Sequence, residues 1–388
     1  MKIVHVIPSL APLHGGPTFV AMNLTKALAD RGHDVHLVTT DRAGVPDLRW
    51  LDNVSVRVVK EKFSPYAYAP GLARELKPLI PASDVVHIHG LYLYPTVLAA
   101  KLALRHGVPY IVRPAGALDP YHLSRKVLKK AVFDRLVHNR VLRNASAFHF
   151  TTEVEMEISQ PRTYARKSIV VPNGLDVAGI ERLSQKGRFR KTLGKAGSKK
   201  LVLFLGRINY KKGFEILIPA FATLRKSIPD VHLVIAGNDD GHLSAVRALI
   251  EAHDIAEDCT VTGFLGAPEK FEALADADVF ALPSYSENFA NALFEALACG
   301  TPCVISNRVN SWPEVAAAGA AAVIDTKVED LVDALGEVLS SAERRGALSQ
   351  NARDFTRQNY DWSTIASKLE YEYQSLVNSK GGASGSQK

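Results

Sequence analysis

The chain has 388 residues, of which 47% are apolar and 22% charged, and its formal net charge is +7. This composition is typical of a globular protein with sizeable cores, and the length predicts two or three domains. No stretch reaches the roughly 18 apolar residues of a membrane-spanning helix. The three cysteines lack metal-ligand spacing, so we expect reduced thiols in a cytoplasmic protein. The opening "MKIVHVIPSL" predicts a buried strand, because its apolar run is too short for a signal peptide and no cleavage site follows.

Short apolar runs alternate with helical patterns along the first part of the chain. In chain order the runs are KIVHVI, DVHLVTT, VSVRVV, DVVHIH, PYIVRP and AFHFTT. Continuous apolar strands separated by helices are typical of a parallel sheet covered on both faces. The sequence therefore predicts an α/β, Rossmann-like, doubly wound N-terminal domain over residues 1–172.

The same alternation starts again after "SIVVPNGLDV". The runs KKLVLFLGR, VHLVIAG, CTVTGF, DVFALPS and PCVIS predict a second doubly wound domain over residues 173–360. A helix over about 361–378 is expected to pack back on the first domain, and residues 379–388, poor in apolar side chains, are predicted to be disordered. Ligands of open parallel sheets bind beyond the carboxyl ends of the strands, so we expect a site in a central cleft that the two domains face.

The excess positive charge is concentrated around the segment 121–143. Apolar residues recur there near helical spacing, with lysines and arginines between them. This pattern predicts a basic amphipathic helix, which either lies on an anionic membrane surface or docks on its own sheet with a solvated charged face. In the first case the protein would be peripheral at the inner face of the plasma membrane. No recognised nucleic-acid-binding motif accompanies the charge, so nucleic acid is not expected as a partner.

Two glycines, Gly15 and Gly16, follow the first strand and precede a helix. Such glycines let a ligand approach the backbone amides of a helix N-terminus, which suits an anion. A plain tight turn gives the same pattern. The three spaced glycines of a dinucleotide-binding motif are absent, and no acid closes the second strand, so a nicotinamide enzyme is disfavoured.

Two cations, Arg207 and Lys212, lie between a predicted strand and a helix in "LVLFLGRINYKKGFEIL". Two fixed cations at a strand end can bind a diphosphate and stabilise its charge as a leaving group without a divalent metal. The alternative is a pair of solvated loop cations. No Walker-type lysine motif occurs, so phosphoryl transfer from ATP is not expected.

Two acids flank a predicted helix start in "PSYSENFANALFEALACG". Glu287 precedes a helix that is expected to begin near Phe289 or Ala290, and Glu295 lies inside it. The unsatisfied N–H groups of 289–291 would point out of the helix end. An acid, a set of amides and a second acid can bind sugar hydroxyls, phosphate and ribose, which a nucleotide sugar carries in this order. Alternatively, both are ordinary acids near a helix N-terminus, where the macrodipole favours them.

Four segments resemble those of the retaining glycosyltransferases of family 4, which have the GT-B fold of two Rossmann-like domains facing a central cleft. "SENFANALFEALACGTPCVIS" resembles the family's E-x7-E segment, "GRINYKKGFEIL" its G-R-x(4)-K-G segment, "VVPNGLD" its P-N-G-x-D and "DVVHIHG" its active-site histidine strand. The matches occur in the family's order and span nearly the whole chain.

The resemblance implies a retaining, metal-independent hexosyltransferase without a cofactor. The donor would be a UDP- or GDP-linked sugar, and the acceptor a saccharide, lipid-linked if the basic segment binds membrane. Such an enzyme would serve surface polysaccharide or glycan biosynthesis. Which nucleotide, sugar and hydroxyl are used cannot be inferred from the sequence.

The resemblance also implies a role for each matching residue. His89 and Glu287 would be catalytic and contact the transferred sugar. The donor would be bound by Gly16, Arg207, Lys212, Phe264, Asn288, Phe289, Ala290, Asn291 and Glu295. Among these, Phe264 is a stacking candidate for the base, and Gly16 approaches either the donor phosphate or the acceptor. His87 is expected to face the opposite side of its strand and to pack. Apart from the resemblance, Arg113 is a third cation that lies just after a strand of the first domain, where it either binds an acceptor phosphate or carboxylate or simply bonds a neighbouring loop.

Two other functions fit this architecture. A nucleotide-sugar epimerase would need further catalytic carboxylates, which the sequence does not reveal. A non-catalytic sugar- or membrane-binding scaffold has no physical need to keep both acids, both cations and the histidine together. One departure from the family concerns Asn288 and Ala290, where the family often has glycines, so the added side chains change the room around the donor sugar.

Overall fold

The computed structural model describes residues 1–118 and 139–383. The chain divides into two compact units: unit 1 comprises Met1–Gly174 with Trp362–Lys388, and unit 2 comprises Leu175–Asp361. The boundaries predicted from the sequence were 172/173 and 360/361. Each unit is built on a parallel sheet with helices, so the prediction of two Rossmann-like α/β domains is confirmed.

Unit 1 contains, among the described residues, a seven-stranded parallel sheet with the order β3-β2-β1-β4-β5-β6-β7. The strands are β1 Lys2–Val6, β2 Asp34–Thr40, β3 Ser55–Val59, β4 Val85–His89, β5 Tyr110–Arg113, β6 Ala147–Phe150 and β7 Lys167–Val170. Among the described residues up to 174, the helices are α1 Gly16–Asp30, α2 Leu72–Leu79, α3 Tyr94–Arg105, α4 Asn139–Arg143 and α5 Glu153–Thr163. The strand order reverses between β1 and β4, where open sheets bind ligands beyond the strand ends.

Unit 2 has a six-stranded parallel sheet, again among the described residues, with the order β10-β9-β8-β11-β12-β13. The strands are β8 Lys200–Leu205, β9 Val231–Ala236, β10 Cys259–Gly263, β11 Val279–Leu282, β12 Cys303–Ser306 and β13 Ala322–Ile324. The helices are α6 Val177–Leu183, α7 Arg188–Thr192, α8 Phe214–Ser227, α9 Leu243–Ala252, α10 Glu269–Asp276, α11 Asn291–Cys299, α12 Trp312–Ala317, α13 Val328–Ser340 and α14 Ala342–Asn359. Here the order reverses between β8 and β11.

The C-terminal helix α15, Trp362–Ala383, belongs to unit 1 and packs on α1. Alternate residues of β1 enter two separate cores, as the two-residue period of a strand requires. Ile3 packs in the core that contains Leu24 of α1 and Leu369 of α15, whereas Val4 packs in the core that contains Leu76 of α2. Both faces of this sheet are therefore covered.

The C-terminal end of α15 and the predicted basic helix both differ in extent from the prediction or lie partly outside the described residues. Residues 379–383 belong to α15, so predicting disorder for them was wrong; each residue added to an existing helix gains a hydrogen bond without a new nucleation cost. Residues 384–388 lie outside the described part of the chain. Of the predicted basic helix over 121–143, residues 121–138 also lie outside it, and 139–143 form α4. Over the described ranges, no helix is long and apolar enough to cross a membrane.

Candidate functional site

In unit 2, the first part of the candidate site is the turn between β8 and α8. Lys212 ends the short 3-10 turn Tyr210–Lys212, and Gly213 follows it with φ of 71°. A Cβ atom at Gly213 would lie 2.1 Å from the carbonyl oxygen of Pro283, just after β11. Only glycine combines this left-handed backbone with so close an approach, so it brings the lysine to the neighbouring strand end.

The structure brings Lys212 and Glu287 together in an ion pair. Both side chains are mostly buried, and the Ser284 hydroxyl donates to the same carboxylate at 3.0 Å. The Glu287 backbone is fixed as well, because its N–H donates to the Arg308 carbonyl and its own carbonyl accepts from the Asn310 N–H, both at 3.0 Å. Lys212, which is expected to bind the diphosphate, and Glu287, which is expected to bind the sugar, therefore contact each other where the strand order of this sheet reverses.

Glu295 lies in α11 and accepts a hydrogen bond from Lys270 Nζ at 2.7 Å. Lys270 is the second residue of α10, and its ammonium lies 4.5 Å from the ring centroid of Phe271. Sequence reasoning missed this lysine, because nothing local in "APEKFEAL" distinguishes it from a solvated helix cation. Each of the two predicted acids therefore has a lysine partner.

Helix α11 begins at Asn291, close to the predicted start. Its N-cap residue, Ala290, has φ 60° and ψ 66°, a left-handed conformation that is costly for a residue with a Cβ. The ring of Phe289 is buried and stacked on Phe294 with centroids 4.1 Å apart. This stack anchors the start of the helix. Because the Phe289 side chain is buried in it, only the backbone of Phe289 is available for a hydrogen bond to a ligand. Asn288 lies between this anchor and Glu287 and is half-buried.

Two further predicted donor-binding residues, Arg207 and Phe264, are mostly exposed. The Arg207 side chain is 69% exposed and forms an ion pair with Asp240 at 2.8 Å. Phe264 follows β10 and is also 69% exposed, so its ring is accessible for stacking. The role of each residue stays a prediction.

In unit 1, a cavity of about 300 Å³ lies at the carboxyl ends of β1, β4 and β5. Its wall includes His89, Arg113 and Pro17 from the first turn of α1. Gly16 is the first residue of this helix and is preceded by Gly15, whose φ is 66°. The predicted residues of unit 1 are thus brought to one place, the switch point of its sheet.

His89 is buried, and its Nε2 lies 2.9 Å from Nδ1 of His5. Burial, and secondarily the neighbouring His5 and Arg113, lower the pKa of His89 well below its usual value, so the imidazole is neutral at pH 7. The rings of His87 and His89 are stacked, with centroids 4.6 Å apart. The expectation that His87 faces the opposite side was wrong, because residues two apart in a strand share a face.

A hydrogen-bonded chain continues behind these rings. His149 Nε2 lies 2.7 Å from the Val171 carbonyl oxygen, which only accepts, so Nε2 donates and Nδ1 accepts. His87 Nε2, at 3.3 Å, then donates to His149, and Nδ1 of His87 accepts from the Tyr373 hydroxyl at 2.5 Å. One carbonyl therefore fixes two tautomers and links strand β4 to helix α15.

His5, His87 and His89 also form a group whose ring nitrogens lie within 4.8 Å of one another. A metal ligand must direct the in-plane lone pair of its nitrogen at the ion. The rings here are stacked, with interplanar angles of 9° to 29°, and nitrogens of His5 and His89 bond each other. This geometry suits a hydrogen-bonded stack better than a metal site.

Arg113 is buried in the cavity wall, and its guanidinium donates to the Asn173 amide oxygen. Its Nε–H has no hydrogen-bond partner among the described residues. Burial lowers the pKa of Arg113 to about 10, which still leaves it a cation at neutral pH. It contacts a neighbouring loop, one of its two predicted roles, while also lining the cavity.

Comparison with known proteins gives two family matches. The family described as Glycosyl transferases group 1 matches residues 185–355, and the Glycosyl transferase 4-like domain matches residues 15–174. A D-inositol 3-phosphate glycosyltransferase of Corynebacterium urealyticum is 30% identical over 76% of this chain and 72% of its own length. A GDP-mannose-dependent alpha-(1-6)-phosphatidylinositol dimannoside mannosyltransferase of Mycobacterium tuberculosis is 27% identical over 94% of this chain and 95% of its own.

Solved structures resemble the chain in fold. HepE of Anabaena, in complex with UDP and glucose, has a TM-score of 0.76 at 19% identity, covering 97% of this chain and 100% of that one. A sucrose-phosphate synthase from Thermosynechococcus elongatus has a TM-score of 0.75 at 19% identity, covering 98% and 100%. The predicted fold, two Rossmann-like domains of the GT-B type, is confirmed.

Proposed function

The chain belongs to the group 1 glycosyl transferases, and we propose that it moves a hexose-type sugar from a nucleoside-diphosphate sugar to a saccharide acceptor with retention at the anomeric carbon. It is a glycosyltransferase by family, whereas the donor, the stereochemistry and the acceptor are the proposal. Anabaena HepE was solved with UDP and the Mycobacterium tuberculosis relative is named for GDP-mannose, so both nucleotides are candidates.

The observation that carries the proposal is the Lys212–Glu287 ion pair at the switch point of unit 2. A bound donor would place its diphosphate against the ammonium and its hexose hydroxyls against the carboxylate. Arg207, exposed beside the same turn, would leave Asp240 to meet the diphosphate. The ribose would contact Glu295, whose carboxylate Lys270 orients.

In the proposed reaction the bond between the anomeric carbon and the diphosphate oxygen breaks. The acceptor hydroxyl oxygen bonds to that carbon on the face that the diphosphate leaves, and its proton passes to a diphosphate oxygen. Lys212 and Arg207 would stabilise the charge that develops on the leaving group. His89, neutral because burial lowers its pKa, would hydrogen-bond the transferred sugar rather than donate a proton to it.

We further propose that the reaction needs no divalent metal, since two cationic side chains can supply the charge that a metal otherwise supplies to a diphosphate. The acceptor is proposed to be a lipid-linked saccharide of surface polysaccharide or glycan assembly. Support comes from the basic composition of 121–143 and from relatives named for phosphatidylinositol acceptors. The peripheral membrane location rests on the same support.

The first experiment is a thermal-shift panel in EDTA with UDP, GDP, ADP and NAD. At 100 times its dissociation constant, the correct nucleotide should stabilise the protein by about 2.7 kcal/mol. Glu295→Ala should abolish this shift, whereas Glu251→Ala, at an exposed position of α9, should keep it. If nothing shifts, or only NAD does, the donor site is wrongly assigned.

Stereochemistry is tested separately, by NMR of the product from an α-linked donor. An α-linked product supports retention, and a β-linked product contradicts it. Conversion of the donor to its epimer without an acceptor would instead indicate an epimerase. Turnover that requires added divalent metal would contradict metal independence.

A further inference from the structure

His5 is a buried histidine that contacts the histidine proposed to serve the reaction. It lies in β1 and is paired with His87 of the neighbouring strand β4, so the two-residue period of a strand puts His5, His87 and His89 on one face of the sheet. Nδ1 of His5 lies 2.9 Å from Nε2 of His89, and both rings are buried. Over the described ranges, the second nitrogen of each ring has no hydrogen-bond partner.

Both rings are neutral at pH 7, so each ring carries one proton. Burial, and after it the nearby Arg113, lower the pKa of His5 to about 3, and burial lowers the pKa of His89 well below its usual value. One proton therefore occupies the hydrogen bond, and the ring that supplies it determines both tautomers. If His5 donates from Nδ1, His89 carries its own proton on Nδ1. If His89 donates from Nε2, its Nδ1 is bare and His5 carries its proton on Nε2.

The surroundings of the two outer nitrogens favour donation by His5. Either tautomer pair leaves one N–H without a partner among the described residues, on Nδ1 of His89 or on Nε2 of His5. His89 belongs to the wall of the cavity of about 300 Å³, where water or a sugar hydroxyl can accept a hydrogen bond. The ring of His5 instead packs against those of His87 and Tyr373, with centroids 5.0 and 6.5 Å away. An N–H kept unsatisfied there is costly.

The pair also differs from the other two histidines of this group. The Val171 carbonyl oxygen fixes the tautomer of His149 and, through it, that of His87. No such carbonyl bonds Nε2 of His89, whose partner among the described side chains is another imidazole. The bond to His5 is therefore the contact through which the fold can decide whether Nδ1 of His89 donates or accepts.

We propose that His5 is a positioning residue that donates its Nδ1–H to His89 and thereby keeps the proton of His89 on Nδ1. That N–H would donate a hydrogen bond to an oxygen of the transferred sugar. The inference rests on the proposed function, because it assumes that His89 contacts this sugar. His5 itself would touch no substrate and would act through the tautomer of its neighbour.

Nitrogen-15 NMR of the histidine rings reads the tautomer directly, because the chemical shifts of a protonated and a bare ring nitrogen differ strongly. The full-length chain is labelled with nitrogen-15 histidine, and the signals of His89 are assigned by their loss in His89→Gln. We expect the proton of His89 on Nδ1 in the native chain. In His5→Phe the population should shift toward Nε2, the tautomer that free neutral histidine favours. A native His89 protonated on Nε2, or an unchanged Nδ1 tautomer in folded His5→Phe, overturns the inference.

Turnover tests whether this tautomer serves the reaction. The nucleotide released from UDP-glucose or GDP-mannose gives kcat, and titration with UDP or GDP gives the nucleotide Kd. His5→Phe should lower kcat about tenfold, the effect of losing one hydrogen bond to the reacting sugar, and should leave the nucleotide Kd unchanged. An unchanged kcat despite a shifted tautomer overturns the inference, and so does an equal weakening of kcat and nucleotide binding, which indicates a merely structural role.

Two amide variants keep the inference testable if the phenylalanine variant does not fold. The amide of asparagine extends about as far as Nδ1 of histidine, whereas that of glutamine extends to the place of Nε2. His5→Asn should therefore keep the Nδ1 tautomer of His89 and most of the native kcat, whereas His5→Gln should lose both. The reverse order contradicts the proposal.

His36 provides the matched control, since it is a buried histidine of β2, the strand on the other side of β1. His36→Asn should change neither the His89 signals nor kcat. A native chain that binds neither UDP nor GDP and releases nucleotide from neither donor refutes the proposed function. The NMR signals of the resting protein then still decide whether His5 sets the tautomer of His89, so the two failures are distinguishable.

Discussion

Replacing Ala290 with glycine should stabilise unit 2, although it removes a partly buried methyl group. Ala290 caps α11 with φ 60° and ψ 66°, and the left-handed region costs a residue with a Cβ about 1–2 kcal/mol. Glycine avoids this cost, but its greater conformational freedom stabilises the unfolded chain by about 0.5–1 kcal/mol. The net gain in free energy of unfolding should be about 0.5 kcal/mol.

Ala292 provides a matched control for this prediction. It lies in the first turn of α11, two residues along, where the backbone is helical and glycine offers no relief of strain. Ala292→Gly should therefore lower the free energy of unfolding by about 1 kcal/mol. The two variants should differ by about 1.5 kcal/mol, which corresponds to a difference in Tm of roughly 3–6 °C for a unit of this size.

Urea denaturation followed by far-ultraviolet circular dichroism measures both variants against the native chain. Opposite signs for the two substitutions support the argument that the backbone at position 290 is strained. Equal destabilisation by both would show that the strain is absent and that the lost methyl contact decides the effect. The outcome bears on the site, because this strained residue is one of the three, 289–291, whose backbone amides are expected to face the donor.

Three further predictions concern the buried polar groups. Tyr373→Phe removes the hydroxyl that donates to Nδ1 of His87 and should lower the free energy of unfolding by about 1–3 kcal/mol. Tyr371→Phe, at a 72% exposed position, should change it by less than about 0.5 kcal/mol, and urea denaturation measures both variants. Lys270→Met leaves the mostly buried Glu295 carboxylate without its cation and should cost about 1–3 kcal/mol in the same assay, with Lys270→Arg restoring most of it. Burial lowers the pKa of the β1 and β6 histidines to about 3, so between pH 6.5 and about 3 the unfolded chain binds protons that the folded chain does not. Each of these two histidines, His5 and His149, should therefore lower the free energy of unfolding by about 1.4 kcal/mol for every pH unit between pH 6.5 and about 3. A urea midpoint that is equal at pH 7 and pH 5 would contradict this prediction.

The central strands of both sheets were predictable from the sequence, whereas one edge strand of each sheet was not. Strands buried on both faces read as continuous apolar runs. The edge strands β7 and β13 have only four and three residues. One lies in "KSIV", interpreted as the start of the boundary between domains, and the other in an alanine-rich stretch without β-branched periodicity. Short edge strands are specified by their neighbour more than by their own sequence.

The candidate site was predictable in its residue types but not in its pairings. Motif spacing located Glu287 and Lys212, and the structure adds that they contact each other. Nothing in the local sequence indicates that Lys270 meets Glu295, since the two lie on different helices, 25 residues apart. The error over the two β4 histidines was different in kind, because the strand period alone was sufficient to place them on one face.

The histidine stack explains why a transferase of this kind would keep an imidazole neutral beside its substrate. Burial disfavours a proton on His89 most, because the charge would be removed from water, and the nearby His5 and Arg113 disfavour it further. Nε2 of His89 is already engaged with His5, whereas its Nδ1 has no partner among the described residues. We therefore expect His89 to act through Nδ1 as an oriented hydrogen-bonding group, so that turnover should not follow the titration of an ordinary histidine near pH 6.5.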